Sequence, residues 1–163
     1  MVPGGHRDPV IGRIHQINLS EGGVPKRPVD SAVVNTRGVV GDLQTDTVHH
    51  GHPEQALCIW SLEVIEALQA EGHPIAPGYA GENITVAGLD WNRVLPGTTL
   101  LFGEAVVAPV TFPATPCSKN AAWFLQRDFR RMSHDRHPGW SRMYASVVTG
   151  GTIQVGDSVR LLQ

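Results

Sequence analysis

Short apolar runs separated by turn residues recur along the whole chain and predict many short strands. Eighteen glycines and twelve prolines are scattered between these runs, a pattern typical of a β-rich barrel or sandwich. The predicted strands cover residues 11–19, 31–34, 56–60, 84–86, 98–102, 105–110, 143–148, 152–155 and 159–162. We therefore expect a mainly β fold with peripheral helices, a small β-barrel, in a single domain over residues 11–163. Residues 1–10 are predicted to form a disordered tail.

One stretch of the chain has a clear helical period instead. Apolar residues recur at a three-residue spacing at Leu62, Ile65 and Leu68. Ser61 is a suitable N-cap, and Gly72 is a suitable residue just beyond the last turn. The pattern predicts an α-helix over residues 62–71.

A second helix is predicted over residues 121–132, where Ala122, Leu125 and Phe129 repeat at spacings of three and four. Its C-terminal end is basic, with Arg130, Arg131, His134, Arg136 and His137. Basic residues at this end complement the negative end of the helix dipole, so the cluster is interpreted as a solvated face.

Charge and composition exclude several classes of protein. The formal net charge is −2 and the sequence pI about 6.4, which argues against a dedicated nucleic-acid-binding protein. No apolar run reaches membrane-spanning length, and residues 1–9 do not form a secretory signal. Two isolated cysteines, Cys58 and Cys117, do not form a disulfide framework, so the expected location is the cytoplasm.

Cys117 is the clearest candidate for a reactive side chain, because its position predicts that it lies on a loop. It lies in the loop Thr115-Pro116-Cys117-Ser118-Lys119, between the strand that ends near Pro113 and the predicted second helix. A thiolate on such a loop can bind a soft metal, and a helix start beside it would favour an anion near Lys119. The alternative is a small apolar residue that packs in the core.

Three other loops carry polar residues that suit a site. Residues 41–52 contain three histidines and two aspartates, which fit either a zinc or iron site or loop histidines bonded to backbone. Residues 78–83 combine two glycines with Glu82 and Asn83. Arg142 and Tyr144 are two residues apart and would share one face of a strand. Lys26 and Arg37 add positive charge earlier in the chain.

Taken in order, these motifs resemble the MOSC domain family, the domain shared with the C-terminal part of molybdenum cofactor sulfurases. The residues that carry the resemblance are Lys26, Gly41-Asp42, His49-His50-Gly51 with Pro53, Gly81-Glu82-Asn83, Pro116-Cys117, Gly139-Trp140 with Arg142, and Gly156-Asp157. The match runs from about Ile14 to Leu162 and is most similar to stand-alone bacterial members, such as the 6-hydroxylaminopurine-resistance proteins, and to the amidoxime-reducing enzymes.

The resemblance implies a β-barrel that binds the molybdenum cofactor, a pterin dithiolene with a phosphate tail. Cys117 falls at the position of the family's molybdenum ligand. His50 and Asn83 fall near the cofactor or substrate and are the implied catalytic partners of Cys117. The cofactor-binding residues implied are Lys26, Arg37, Thr115, Lys119 and Arg142.

Two positions depart from the family pattern. Leu43 stands where relatives often have Arg, so Arg37 is expected to replace a phosphate contact. His52 replaces the second glycine of a common His-His-Gly-Gly run. The sequence shows no further domain, so electrons are expected from a separate flavin or iron–sulfur reductase.

Three functions fit these residues. The first is a molybdenum-dependent oxidoreductase, monomeric or homodimeric, that reduces small N-hydroxylated compounds. The second is a non-catalytic module that carries cofactor or sulfur on Cys117. The third is a zinc or iron enzyme built on His49, His50 and His52. None of them involves nucleic acid or a membrane.

Overall fold

The computed structural model describes residues 11–43 and 52–162, and eleven strands lie within them. The strands are β1 Ile11–Leu19, β2 Arg27–Val29, β3 Ser31–Asn35, β4 Gly38–Val39, β5 Leu57–Ser61, β6 Ile84–Ala87, β7 Thr99–Phe102, β8 Val106–Pro113, β9 Met143–Ala145, β10 Gly151–Gln154 and β11 Ser158–Leu162. One α-helix, α1, spans Leu62–Ala70. Short 3₁₀ helices span Pro53–Gln55, Trp91–Arg93, Ser118–Trp123, Leu125–Arg127 and Phe129–Met132.

Seven strands close into a barrel, which confirms the predicted fold class. The order is β11-β7-β8-β9-β5-β6-β1, and β1 pairs with β11 to complete the ring. Strand β2 adds to the outside edge of β1, and β10, β3 and β4 form a separate three-stranded sheet. Closure leaves the barrel strands without a free edge, so their backbone groups are paired within the ring.

Only the β5–β6 pair of the barrel is parallel, and α1 makes the crossover between these strands. The helix starts as predicted, because the Ser61 hydroxyl accepts a hydrogen bond from the Val64 amide at 3.3 Å. Ile65 and Leu68 are fully buried against the barrel. Gly72, with φ of 99°, follows the last turn.

The predicted second helix is wrong. Residues 118–132 form three short 3₁₀ helices, broken where Gln126 and Arg127 adopt φ angles of 54° and 59°. The spacing selected the wrong face, since Leu125 is 47% exposed whereas Phe124, one position earlier, is buried. The Leu125 amide donates to the imidazole Nδ1 of His73 at 3.0 Å. In an α-helix this amide would instead donate to the backbone carbonyl four residues earlier.

Two strands, β2 and β4, were not predicted because each is only two or three residues long. The other strands agree with the predicted ranges to within a few residues, and β1 matches in full. The predicted disordered tail lies outside the described residues. In the part of the chain that the structure describes, no helix is long and apolar enough to cross a membrane.

Gly38 provides a test of how tightly the small sheet packs on the barrel. It has φ of 118°, and a Cβ there would lie 2.3 Å from the Ala56 carbonyl oxygen. We expect Gly38→Ala to lower the free energy of unfolding by about 2–4 kcal/mol. Gly41→Ala is the matched control, because Gly41 has φ of 91° and no atom near its Cβ position. Urea unfolding of both variants measures the difference, and equal losses would contradict the packing argument.

Candidate functional site

One cavity of about 100 Å³ opens at the end of the barrel, beside the first residues of β5 and β9 and the loop that follows β8. It is bounded by the residue 23–26 segment, the turn that ends at Gly81, and the Cys117 loop. The described residues that line it are Gly23, Val24, Lys26, Leu43, Gln55, Cys58, Ala80, Gly81, Asn83, Thr115, Cys117, Lys119, Asn120, Arg142 and Tyr144.

Arg142 joins two walls of this cavity. Its side chain is buried, and its guanidinium donates to the Ala80 carbonyl at 2.9 Å and to the Thr115 carbonyl at 3.1 Å. The Arg142 carbonyl also accepts from the Ala114 amide at 2.9 Å. One residue therefore ties the turn at Ala80 to the loop that carries Cys117, and this fixes the distance across the cavity mouth.

Lys26 lies in the cavity wall but is already paired. Its ammonium bonds the Asp42 carboxylate at 2.5 Å, and both side chains are at most 10% exposed. The same Asp42 oxygen accepts from the Asn83 amide nitrogen at 2.8 Å, and its other oxygen accepts from the Ser20 amide at 2.9 Å. An anion bound at Lys26 would have to share the ammonium with Asp42.

The Asn83 side chain bridges this ion pair to the barrel wall. Its carbonyl oxygen accepts from the Cys58 amide at 3.0 Å, while its amide nitrogen donates to Asp42. The Asn83 backbone also bonds Cys58 and Asn18. With Asn83 held at both ends, one N–H of its side-chain amide remains to face a ligand.

Cys58 and Tyr144 form the floor of the cavity beside Cys117. They face each other on paired strands β5 and β9, and Phe112 packs edge-on against the Tyr144 ring. Burial raises the pKa of the Cys58 thiol, so Cys58 is neutral at physiological pH. Burial also raises the pKa of Tyr144 to about 12, which keeps its hydroxyl protonated. Cys117 is less buried than Cys58 and belongs to the rim.

Glu82 lies behind the turn, fully buried. One carboxyl oxygen accepts from the Gly78 amide at 2.9 Å, and the other has no hydrogen-bond partner among the described residues. Desolvation raises the pKa of Glu82 to about 7, despite the opposing effects of its own amide, Arg142 and the Gly78 amide. The turn that supports Ala80 and Gly81 is therefore held by a carboxyl group that titrates near neutral pH.

The structure brings six of the eight predicted site residues to this cavity: Lys26, Asn83, Thr115, Cys117, Lys119 and Arg142. Arg37 is not among the described residues that line it, and is exposed in the turn between β3 and β4. His50 lies outside the described residues.

Most of the histidine-rich loop, residues 44–51, lies outside the described residues, so the zinc or iron site stays a prediction. His49 lies outside the described residues, and the His52 Nδ1 accepts a hydrogen bond from the Glu54 amide at 3.2 Å. In residues 11–43 and 52–162 no three His, Cys, Asp or Glu side chains come close enough to hold a metal.

Cys58 and Asn120, which also line the cavity, were not predicted as site residues. Cys58 lies within an apolar run and was not distinguished from a core residue, although it faces Tyr144 across the sheet. Asn120 was placed at the start of an α-helix, whereas it lies in the six-residue 3₁₀ helix Ser118–Trp123, which Cys117 precedes without a side-chain cap bond. The expected anion site at an α-helix N-terminus is therefore wrong, and the charges of the side chains must bind any anion.

Comparison with known proteins identifies the family. The MOSC domain profile matches residues 46–160. The chain belongs to the MOSC domain family. It is 34% identical over 144 residues to the uncharacterized protein YflK of Bacillus subtilis, covering 87% of this chain and 64% of YflK. It is 32% identical over 149 residues to YiiM of Escherichia coli, covering 85% of this chain and 63% of YiiM. The chain thus spans less than two thirds of the length of either relative.

Solved structures of MOSC-type proteins share the fold. YiiM from Geobacillus stearothermophilus superposes with a TM-score of 0.71 at 24% identity, covering 93% of this chain and 75% of that one. YuaD from Bacillus subtilis superposes with a TM-score of 0.73 at 15% identity, covering 94% of this chain and 97% of that one. At these identities the likeness establishes the barrel architecture of this MOSC domain.

We expect Arg142→Met to release the Cys117 loop. The change keeps an apolar stem but removes both bonds to the Ala80 and Thr115 carbonyls, at a cost of about 2–4 kcal/mol in the free energy of unfolding. The Cys117 thiol should react faster with a thiol reagent such as DTNB, measured in a Cys58→Ala background. Arg160→Met, at an exposed position of β11, is the control and should leave the rate unchanged. An unchanged rate in Arg142→Met would show that the guanidinium does not hold the loop.

We expect Glu82 to make stability decrease as pH rises. Its folded-state pKa of about 7 lies above its ordinary value of 4.5, so the folded state binds the proton more tightly than the unfolded state. The resulting stability is full below about pH 4.5 and is lost as pH rises through about 7, a change on the order of 3 kcal/mol. Glu82→Gln should flatten this part of the urea-unfolding profile, while exposed Glu54→Gln should not. A wild-type slope that persists in Glu82→Gln would assign the effect to another group.

Proposed function

We propose that this protein binds the molybdenum cofactor in the Cys117 cavity and reduces small N-hydroxylated compounds. The observation that carries the proposal is the combination of one rim thiol, Cys117, with three cationic side chains in a single cavity of a MOSC barrel. A thiolate is a soft ligand that suits molybdenum, and cations suit the phosphate of a pterin cofactor.

The dimensions and charges of the cavity fit the metal end of such a cofactor. Its volume of about 100 Å³ is below the ~300 Å³ at which typical small-molecule pockets begin, so the bulk of a pterin would lie along the open mouth. Lys119 is exposed at that mouth, and Arg142 is buried behind it. Lys119 is therefore the cation best placed to meet a phosphate, because Lys26 is neutralised by Asp42 and Arg142 is bonded to two carbonyls.

Each residue has a role that follows from its contacts. Cys117 supplies the protein ligand, and Arg142 positions its loop. The remaining N–H of Asn83 orients a substrate oxygen, and the Tyr144 hydroxyl stays protonated beside it. His50 is included as a substrate-facing residue on the sequence resemblance alone.

Reduction of a hydroxylamine to an amine consumes two electrons and two protons and releases water. When bound, the cofactor would supply a centre able to exchange two electrons with the substrate. The chain has two cysteines, too few for a four-cysteine iron–sulfur cluster of its own. We propose that a separate flavin or iron–sulfur protein supplies the electrons, and that the protein acts in the cytoplasm, where such reductases are found.

Molybdenum content tests the role of Cys117. Protein expressed in a cofactor-competent host should contain molybdenum by mass spectrometry of the metal, and Cys117→Ala should lower the content at least about tenfold. Cys58→Ala is the matched control, since it removes the other thiol of the same cavity, and should retain the metal.

Absence of molybdenum from the wild-type protein, or equal content in Cys117→Ala, would refute the proposal. Molybdenum bound without reduction of any hydroxylamine, with dithionite as the donor, would instead identify a cofactor carrier. Sulfur carriage predicts a persulfide on Cys117, which intact-protein mass spectrometry detects as an addition of one sulfur atom.

A further inference from the structure

Apart from Lys119 and Asn120, which line the cavity, the basic segment, residues 119–137, has no role in the site described above. It contains Lys119, Arg127, Arg130, Arg131 and Arg136 but only two acids, Asp128 and Asp135. Five of the chain's thirteen lysines and arginines thus lie in nineteen residues of a chain whose net charge is negative. The helix dipole does not explain this concentration, because no α-helix forms there.

Two of the four arginines contact other side chains: Arg131 pairs with Glu71, and Arg130 lies 5.8 Å from the centre of the Phe129 ring. Arg131 makes two bonds to the Glu71 carboxylate, at 2.9 and 2.7 Å, and its guanidinium lies 4.0 Å from the centre of the Trp140 ring. The other three, Arg127, Arg130 and Arg136, are exposed. Within the part of the chain that the structure describes, none of the three forms an ion pair.

The backbone of this segment adopts an energetically unfavourable conformation at two residues. Gln126 and Arg127 both have left-handed φ angles, which cost about 1–2 kcal/mol for a residue with a Cβ. Buried Phe124 packs on His73, and His73 accepts from the Leu125 amide, so the segment is anchored to the end of α1. The anchored turn leaves the consecutive residues Leu125, Gln126 and Arg127 exposed.

The surface lies next to the cavity. The 3₁₀ helix Ser118–Trp123 packs against both following 3₁₀ helices, and its residues Lys119 and Asn120 line the cavity. A partner bound to the exposed arginines would therefore lie close to Cys117. Arginine is enriched at protein interfaces, and the exposed side chain of Leu125 offers an apolar contact beside these arginines.

We propose that the exposed residues Leu125, Arg127, Arg130 and Arg136 bind an acidic electron-donor protein. The inference rests on the proposed function for the role of the partner, whereas the binding surface itself is defined by charge and exposure. Complementary charges accelerate association and orient the partner, and both effects weaken as salt is added. The net charge of −2 and the apolar Leu125 favour a protein over a nucleic acid as the occupant.

The test measures binding to two acidic electron-transfer proteins, a flavodoxin and a plant-type ferredoxin, by isothermal titration calorimetry at low and physiological ionic strength. The full chain carries Arg127→Glu, Arg130→Glu and Arg136→Glu together, and the control carries Arg13→Glu, Arg27→Glu and Arg160→Glu. All six arginines are exposed, so both triple variants make the same change in charge. A variant with Arg127, Arg130 and Arg136 changed to glutamine makes a milder change in charge. Thermal unfolding checks that each variant is folded.

We expect the wild-type chain to bind at least one of the two proteins, with a dissociation constant that rises with salt. Reversal of the first set should raise that constant at least about tenfold, the glutamine variant should lie between, and the control should stay within about threefold of wild type. Equal affinities in the two triple variants, or no binding of either protein to the wild type, would overturn the proposal. The proposal would also be overturned if the binding of a single-stranded oligonucleotide, but not the binding of either protein, depended on the three arginines.

This result does not depend on molybdenum, because binding is measured without metal or substrate. If the proposed function is wrong, the protein contains no molybdenum. If this inference is wrong, the triple arginine reversal leaves donor binding unchanged. In metal-loaded protein, the first reversal should slow turnover driven by the bound donor but not turnover driven by dithionite.

Discussion

The geometry of the site depends on a buried cation, Arg142, that bonds backbone rather than a ligand. A guanidinium has five N–H donors in a fixed plane, so one side chain can hold two carbonyls from separate loops at once. Here it joins Ala80 to Thr115 across the cavity. Glu82 lies close enough for each charge to affect the other, so the ionisation of the carboxyl and the stability of the buried cation are linked. The shape of the cavity therefore depends on the buried charges of Arg142 and Glu82 as well as on the loops.

A second buried network determines how much positive charge a ligand can use. The Lys26 ammonium, Asp42 carboxylate and Asn83 amide form one hydrogen-bonded chain that ends on the Cys58 amide. Breaking one partner of such a chain leaves the others buried without compensation, which is costly. The network consequently shapes the cavity wall next to Cys117, and the cation with the most freedom to bind a phosphate is the exposed Lys119.

The sequence predicted the barrel from local signals, whereas most of the candidate site residues were predicted through the resemblance to the MOSC family. Proline and glycine positions locate the turns, and Pro113 and Pro116 place Cys117 on a loop. The second helix was predicted wrongly because the period of Ala122, Leu125 and Phe129 is a local signal, whereas the contact of His73 with the Leu125 amide spans fifty-two residues. The Asp42 partner of Lys26 and the place of Cys58 opposite Tyr144 are also set by tertiary contacts, which one sequence does not reveal.

The same misprediction changes how the arginines near the cavity are understood. In an α-helix, Arg130 and Arg136 would have served the helix dipole and needed no partner. The structure instead divides the cations by their contacts: Arg142 is buried and bonded to backbone and Arg131 pairs with Glu71 at the surface, whereas Arg127, Arg130 and Arg136 remain exposed. Gln126 and Arg127 have left-handed φ angles, each of which costs about 1–2 kcal/mol, so this turn forms at some expense of stability. A surface formed at such a cost, beside a cavity with a thiol at its rim, is best explained by a partner that must approach that cavity.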